Sequence, residues 1–348
     1  MTAMRALVYS DIKRVTMETR PEPTPGPDDV LLKVRATGIC GSDMAGFLGH
    51  SPRRKPPLVL GHEAVGTVAR MPQSPPPDGG EWPFQEGQRV VVNPLMPCGK
   101  CAACRSGHTN ICADWRLLGM DKVPGAFAEY VILPAKNVFP IPDDLPDYRA
   151  VMIEPLANGV HLFNLITRHS FGTLAIFGAG TQGCLMLSLA RLLGYREIAI
   201  VDVNPQRLEV AKGLGAKHAI NAQETEPVAA LRERLGGTGA DIVIDAHGSQ
   251  VVRAACVNAV RKGGEILLLG LHEVNSSIDF AAVVRNELRL QGSFAYTAAD
   301  FALSKRLIES GDVDLSAWTE ALPLEAGQAA FDKLTTDPGP TMKILLTT

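Results

Sequence analysis

Two rhythms of apolar and polar residues divide this chain. Up to about residue 150, short runs such as DVLLKVRATGI and VILPAKNVFPI alternate apolar with polar positions, and Pro- and Gly-rich stretches such as PEPTPGPDD separate them. The opening MTAMRALVYSDIKRVTMETR alternates in the same way. A period of two puts every other side chain on one face, so the pattern predicts half-buried strands gathered into an irregular, barrel-like β domain. The segment ARMPQSPPPDGGEWPFQEGQRV reads as a surface loop between two of these strands.

From about Leu156 the rhythm changes. TLAIF, EIAIVD, DIVIDAHG and GEILLLG are nearly continuous apolar runs, and TQGCLMLSLARLLG and NPQRLEVAKGLG between them read as amphipathic helices. Strands buried on both faces and alternating with helices belong to a parallel sheet covered on each side, so residues 156–291 are expected to form a doubly wound α/β domain. Beyond LRLQGSF, the stretches AADFALSKRLIES and EAGQAAFDKLT predict helices and TMKILLT a last strand. This tail, residues 292–348, is expected to rejoin the β domain of residues 1–155.

Composition narrows the function without naming it. A chain of 348 residues is long enough for two cores. A net charge of −3 offers no electrostatic footprint for nucleic acid, and no apolar run approaches the length of a membrane span. The amino-terminal stretch has no apolar signal core, so the expected location is the cytoplasm, where thiols stay reduced.

That location gives meaning to the cysteines. Four of the seven, Cys98, Cys101, Cys104 and Cys112, fall within fifteen residues as C-x2-C-x2-C-x7-C. Four thiolates so spaced in a glycine-containing loop, about residues 94–115, can surround one zinc ion tetrahedrally. An iron–sulfur cluster fits less well, because the ferredoxin spacing closes with C-x3-C-P. With every corner filled by protein, the site is structural.

A second motif follows the strand TLAIF. Gly178, Gly180 and Gly183 form G-x-G-x-x-G, with Thr181 and Gln182 opening the next helix, the arrangement that seats a dinucleotide pyrophosphate on a helix amino terminus. Asp202, nineteen residues past Gly183, ends the following strand. Its carboxylate would accept hydrogen bonds from ribose hydroxyls and repel a 2′-phosphate, which favours NAD over NADP. Arg207 is a candidate to stack on the adenine, or else an exposed helix arginine.

Cys40 in GICGSDMAG, His62 and Glu63 in LGHEAVG, and Glu154 in MIEPLANG are each unremarkable alone. In order, however, GICGSD, LGHEAVGTV, the cysteine lobe, EPLANGVH and GAGTQG resemble the zinc-dependent medium-chain dehydrogenase/reductase family, closest to its sorbitol, polyol and threonine branch, from about Met4 onward. The resemblance implies a GroES-like irregular β-barrel catalytic domain and a Rossmann coenzyme domain, with two zinc ions per chain, NAD, and a homo-oligomer, dimer or tetramer. It places Cys40 and His62 on a catalytic zinc, with Glu63 or Glu154 as third protein ligand. The alcohol dehydrogenases proper have cysteine where Glu154 stands. Ser42 resembles the family residue that takes the hydroxyl proton, and Asp43 is expected to turn the His62 imidazole. Ala45 replaces the histidine many relatives carry, so the relay would end in water or another group such as His50.

The implied reaction passes a hydride from a secondary alcohol, a polyol or sugar-derived alcohol, to NAD. Threonine, a simple alcohol or an acidic or phosphorylated polyol is the alternative substrate; Arg53, Arg54 and Lys55 are candidates for an anion, or else a solvated charge run. A non-enzymatic relative would lack the ligand set retained here. Phe47, Leu118 and Phe294 are candidates to shape the cleft, and Cys184 and Cys256 are expected in the core.

Overall fold

The computed structural model describes residues 2–167, 172–313 and 318–348. Contacts divide the chain into two compact units, one of Met1–Glu154, Ser304–Ser310 and Trp318–Thr348, the other of Pro155–Leu303 and Gly311–Ala317.

In the first unit, β1 (Ala3–Asp11) and β2 (Arg14–Pro21) form an antiparallel hairpin, and β1 also pairs with β4 (Leu58–Val59). A larger sheet is built on β3 (Asp29–Gly38), β5 (Glu63–Arg70), β6 (Arg89–Val92) and β10 (Val138–Pro140), with β9 (Tyr130–Pro134) also on β3. The Pro/Gly-rich loop joins β5 to β6. Two strands from the far end of the chain complete this sheet: β18 (Lys343–Thr347) pairs with β3, and β17 (Thr319–Pro323) pairs with β18. Alternation does its expected work along β3, whose Val30, Leu32 and Val34 meet Val90, Val92 and Val131 in one core. A second core gathers Leu7, Tyr9, Phe331, Ile344 and Leu346. Phe47 stacks on Phe331 with ring centroids 4.8 Å apart, and Leu118 lies in the first core. Both are buried packing residues. The strands β7 (Leu95–Met96) and β8 (Arg116–Leu117) pair at the two ends of the cysteine loop and close it. Short helices α1 (Gly41–Phe47), α2 (Ala102–Arg105) and α3 (Asp147–Ala150) punctuate the strands.

The second unit has six parallel strands, β11 (Thr173–Phe177), β12 (Glu197–Asp202), β13 (His218–Asn221), β14 (Ala240–Asp245), β15 (Val260–Leu268) and β16 (Arg289–Gly292). Their order is β13-β12-β11-β14-β15-β16, so the sheet grows outward in both directions from β11 and β14 and turns direction between them, where such folds bind ligands. Helix α4 (Ile153–Asn164) leads in; α5 (Thr181–Leu192), α6 (Pro205–Gly213), α7 (Pro227–Arg234), α8 (Gln250–Ala259) and α9 (Phe280–Arg285) make the crossovers. Asn204 caps α6 by accepting from the N–H groups of Gln206 and Arg207, and Gly215, at φ +95°, ends the turn beyond it. Cys184 and Cys256 are fully buried here, and burial pushes the Cys184 thiol up to about 12.

Helix α10 (Ala298–Glu309) begins in this unit, so the contact boundary falls after Leu303 and not at residue 292. The reason lies in its first turn. Asp300 accepts from Thr297 in a capping box, and it also takes hydrogen bonds from His161 (2.8 Å) and Asn164 (2.7 Å) of α4. Helix α11 (Gly327–Thr336) then packs with the first unit's second core.

Candidate active site and metal centres

Cys98, Cys101, Cys104 and Cys112 bring their sulfurs within 4.8 Å of one another. The loop backbone turns its donors inward: Cys98 N–H and Asp114 N–H reach the Cys112 sulfur at 3.2 and 3.3 Å, and Cys101 caps α2 by accepting from Cys104 N–H. Backbone donors from Cys104 and Ala113 draw the Cys101 thiol down to about 6. A thiolate tetrad with inward N–H groups fits a zinc ion.

The second cluster is non-local in sequence. Cys40 is the amino-terminal cap of α1, and His62 and Glu63 lie where the chain enters β5. A ligand atom from each of Cys40, His62 and Glu63 lies within 4.8 Å of the others. His62 and Glu63 are buried. Asp43, fully buried on α1, lies 3.4 Å from His62 Nδ1, longer than a good hydrogen bond, and its other oxygen accepts from Cys40 N–H at 3.1 Å. Burial would raise the Asp43 carboxyl, but His62, Arg54 and the Cys40 N–H outweigh it and hold the group below its usual range. Burial would likewise lower His62, yet the charges of Asp43 and Cys40 drive it well upward. The pocket therefore favours positive charge, as a site for a divalent cation must.

The residue that sequence reasoning missed is Lys343. Its ammonium, buried in β18, donates to both oxygens of Glu63, at 2.7 and 2.8 Å, and to the Ile39 carbonyl at 3.0 Å. Glu63, Cys40 and Glu154 together overcome the burial that would lower its pKa and raise it instead. Gly38 makes the room, since a Cβ there would lie 2.2 Å from Glu63 Oε2. A lysine 280 residues away leaves no local trace; a glycine inside a strand pattern was the one available signal. Glu154, buried in the first turn of α4, acts electrostatically on Lys343 but stands outside the three-residue cluster. Ser42 sits on α1 beside Cys40, whereas His50 is exposed.

Of the basic run, only Lys55 is exposed. Arg53 is paired with Asp121 at 2.6 Å and stacked 3.9 Å over the Trp115 ring, and Arg54 is buried with Nε 3.5 Å from Asp43. The run is not a solvated face.

In the second unit the glycine loop is shaped for close approach. Gly178 has φ +107°, and a Cβ on Gly183 would lie 1.8 Å from the Gly178 carbonyl oxygen. Gly180 caps α5 with no side-chain acceptor, and a helix amino terminus presents backbone N–H groups of the kind that bind an anion. Asp202 ends β12 and accepts from Ala179 N–H at 2.6 Å and Asn204 N–H at 2.8 Å, so it braces the loop it would serve. Arg207 folds back to within 4.0 Å of a Cβ built on Gly180, its Nε buried. Thr181 opens α5, while Gln182 donates its side-chain amide to the Pro155 carbonyl and is occupied in packing. This loop fits a dinucleotide.

Comparison with known proteins agrees with both units. Residues 26–143 match the alcohol dehydrogenase GroES-like domain, and residues 183–310 match the zinc-binding dehydrogenase domain. The chain is 33% identical over 336 residues to sorbitol dehydrogenase of Bacillus subtilis, covering 95% of this chain and 93% of that protein. It is 33% identical to L-threonine 3-dehydrogenase of Mesorhizobium japonicum over 340 residues, covering 95% of each. A solved alcohol dehydrogenase from Escherichia coli CFT073, complexed with NADH, superposes with a TM-score of 0.90 at 26% identity over the full length of both. The chain belongs to the zinc-dependent medium-chain dehydrogenases of the alcohol dehydrogenase superfamily. Within them it falls in the sorbitol and threonine dehydrogenase branch, and it is a zinc-dependent oxidoreductase.

Proposed function

We propose that this enzyme oxidises a secondary hydroxyl of an uncharged polyol or sugar-derived alcohol. The observation that carries the choice is the state of Arg53 and Arg54. Both guanidinium groups already face carboxylates of the chain, Asp121 and Asp43, so neither offers a free charge to the carboxylate of threonine or to a phosphorylated alcohol. The buried Glu154, where alcohol dehydrogenases proper carry cysteine, and the similarity to a sorbitol dehydrogenase support the same reading.

Cys40 and His62, with Glu63 and Glu154 exchanging as third ligand, would hold one zinc, and the cysteine tetrad the other. Bound zinc makes a coordinated hydroxyl far more acidic. Ser42 takes the hydroxyl proton and passes it toward solvent. Gly178, Gly180, Thr181 and Gly183 would hold the pyrophosphate of NAD and Asp202 and Arg207 its adenosine, and NAD would supply the acceptor for the hydride of the carbinol carbon. Products are a ketone, NADH and a proton. Lys343 holds the Glu63 carboxylate ready beside the ligand pair. The enzyme would work in the reducing cytoplasm; among the described residues no helix is long and apolar enough to cross a membrane.

The test is a set of initial rates with neutral polyols, sugar alcohols, sugar phosphates, threonine and simple alcohols, each with NAD and with NADP. The expected result is the highest kcat/KM for a neutral polyol with NAD. A tenfold preference for threonine or a phosphate ester would overturn the reading.

We further propose a homo-oligomer, dimer or tetramer, formed through the outer edge of the parallel sheet. Leu271, Val274, Phe280 and Val284 are exposed on the connection that leads into the edge strand β16.

A further inference from the structure

We propose that Arg54 is a positioning residue of the metal site, which shares the Asp43 carboxylate with His62 and so limits how strongly that carboxylate can pull on the imidazole. This rests on reading Cys40 and His62 as metal ligands. Asp43 Oδ1 faces Arg54 Nε at 3.5 Å, His62 Nδ1 at 3.4 Å and the Gly61 N–H at 3.4 Å, while Oδ2 accepts from Cys40 N–H. One buried oxygen thus lies between a guanidinium and a ligand imidazole. Arg54 is only 4% exposed.

A carboxylate behind a metal-bound histidine makes the ring a stronger donor, which tightens the metal and makes it a weaker Lewis acid. A cation on the same oxygen opposes that. Arginine suits the task because its guanidinium stays charged when buried beside the carboxylate.

The local chain is arranged to bring Arg54 inward. A Cβ on Gly46 of α1 would lie 2.9 Å from Arg54 Cβ and 3.1 Å from its Cδ, so the bare glycine leaves the groove through which the Arg54 stem descends. Arg54 N–H donates to Ser51 Oγ at 3.2 Å. Arg53, next to it, is held outward by Trp115 and Asp121, and the Asp121 N–H donates to the Arg53 carbonyl at 2.8 Å. The turn is anchored on both sides, with one arginine directed out and the next directed in. Glu63, adjacent to His62, has its own buried cation in Lys343. Each carboxylate beside the ligand pair is therefore offset by a dedicated positive charge, and neither delivers its full negative charge to the metal.

The sign of this effect separates it from simple damage. In zinc-loaded, full-length protein, zinc release to a chromogenic chelator would be followed for Arg54→Met, Arg54→Lys, Asp43→Asn and the double variant, with release from the cysteine tetrad as internal reference. Arg54→Met is expected to slow release from the Cys40–His62 site and to lower kcat, each by about tenfold, with KM for the alcohol nearly unchanged. Arg54→Lys should stay close to the parent, and Asp43→Asn should release zinc faster. The double variant should behave as Asp43→Asn alone, because Arg54 acts only through Asp43. If Arg54→Met folds poorly, Arg54→Gln supplies the neutral side chain. Release at or above the parent rate in both neutral variants, or a raised KM with unchanged release, overturns the proposal. A parent protein that binds zinc at the tetrad alone would sink the metal-site reading as well.

Discussion

Glu63 is a carboxylate with almost no access to water, and such a charge is costly unless a partner is held against it. Lys343 is that partner. Lys343→Met is therefore expected to destabilise the protein by about 3–5 kcal/mol, read as a lower urea midpoint, and to reduce kcat. Glu63→Gln combined with Lys343→Met should recover much of the stability, since neither charge remains. Glu154→Ala gives the contrast: if Glu154 exchanges at the metal, kcat should fall about 10–100-fold while the urea midpoint moves little. A kcat within a few fold of normal would remove Glu154 from the mechanism. At this scale the sequence was legible wherever a function is local. Cys40, His62 and the tetrad are announced by short spacings and neighbouring glycines. Lys343 and Arg54 were not, because a lysine in a strand and an arginine in a basic run look solvated until β18 pairs with β3 and Gly46 opens its groove.

Among the elements, the start of α10 has the most to say about pH. Burial would raise the Asp300 carboxyl, but hydrogen bonds from His161, Thr297 and Asn164 hold it at about 2. A carboxyl depressed in the folded state contributes stability above its unfolded value of about 3.9, and loses it as pH falls toward 2. Asp300→Asn is expected to cost about 2 kcal/mol at pH 7, and the gap to the parent should narrow as pH drops from about 5 to 3. Urea midpoints across that range check it; a constant gap would mean that the charge is not the source. Strands were easier to read than helices here. The continuous apolar runs of β11, β12, β14 and β15 declare a parallel sheet, whereas α9, six residues long, is too short to show a helical period. The division of α10 between the two units depends on Asp300 reaching α4, a contact 136 residues away that periodicity does not encode.

For the molecule as a whole, the exposed Leu271, Val274, Phe280 and Val284 predict association. Sedimentation at micromolar concentration should give a dimer or tetramer, and Val274→Asp with Phe280→Asp should shift it toward the monomer; a monomeric parent would defeat the proposal. The layout of the two metal sites along the chain also implies an order of assembly. The four cysteines span fifteen residues and can meet as soon as the ribosome has released them. The buried pair of Glu63 with Lys343 must wait until Lys343 is made, 231 residues after Cys112 (343 − 112), which at about 5–20 residues per second is roughly ten seconds to three-quarters of a minute of synthesis. Throughout that interval the nascent protein can own a finished structural lobe beside an unfinished catalytic pocket. On the proposed reading, the tetrad would take its zinc before the pocket of Cys40 and His62 gains its buried Glu63–Lys343 pair.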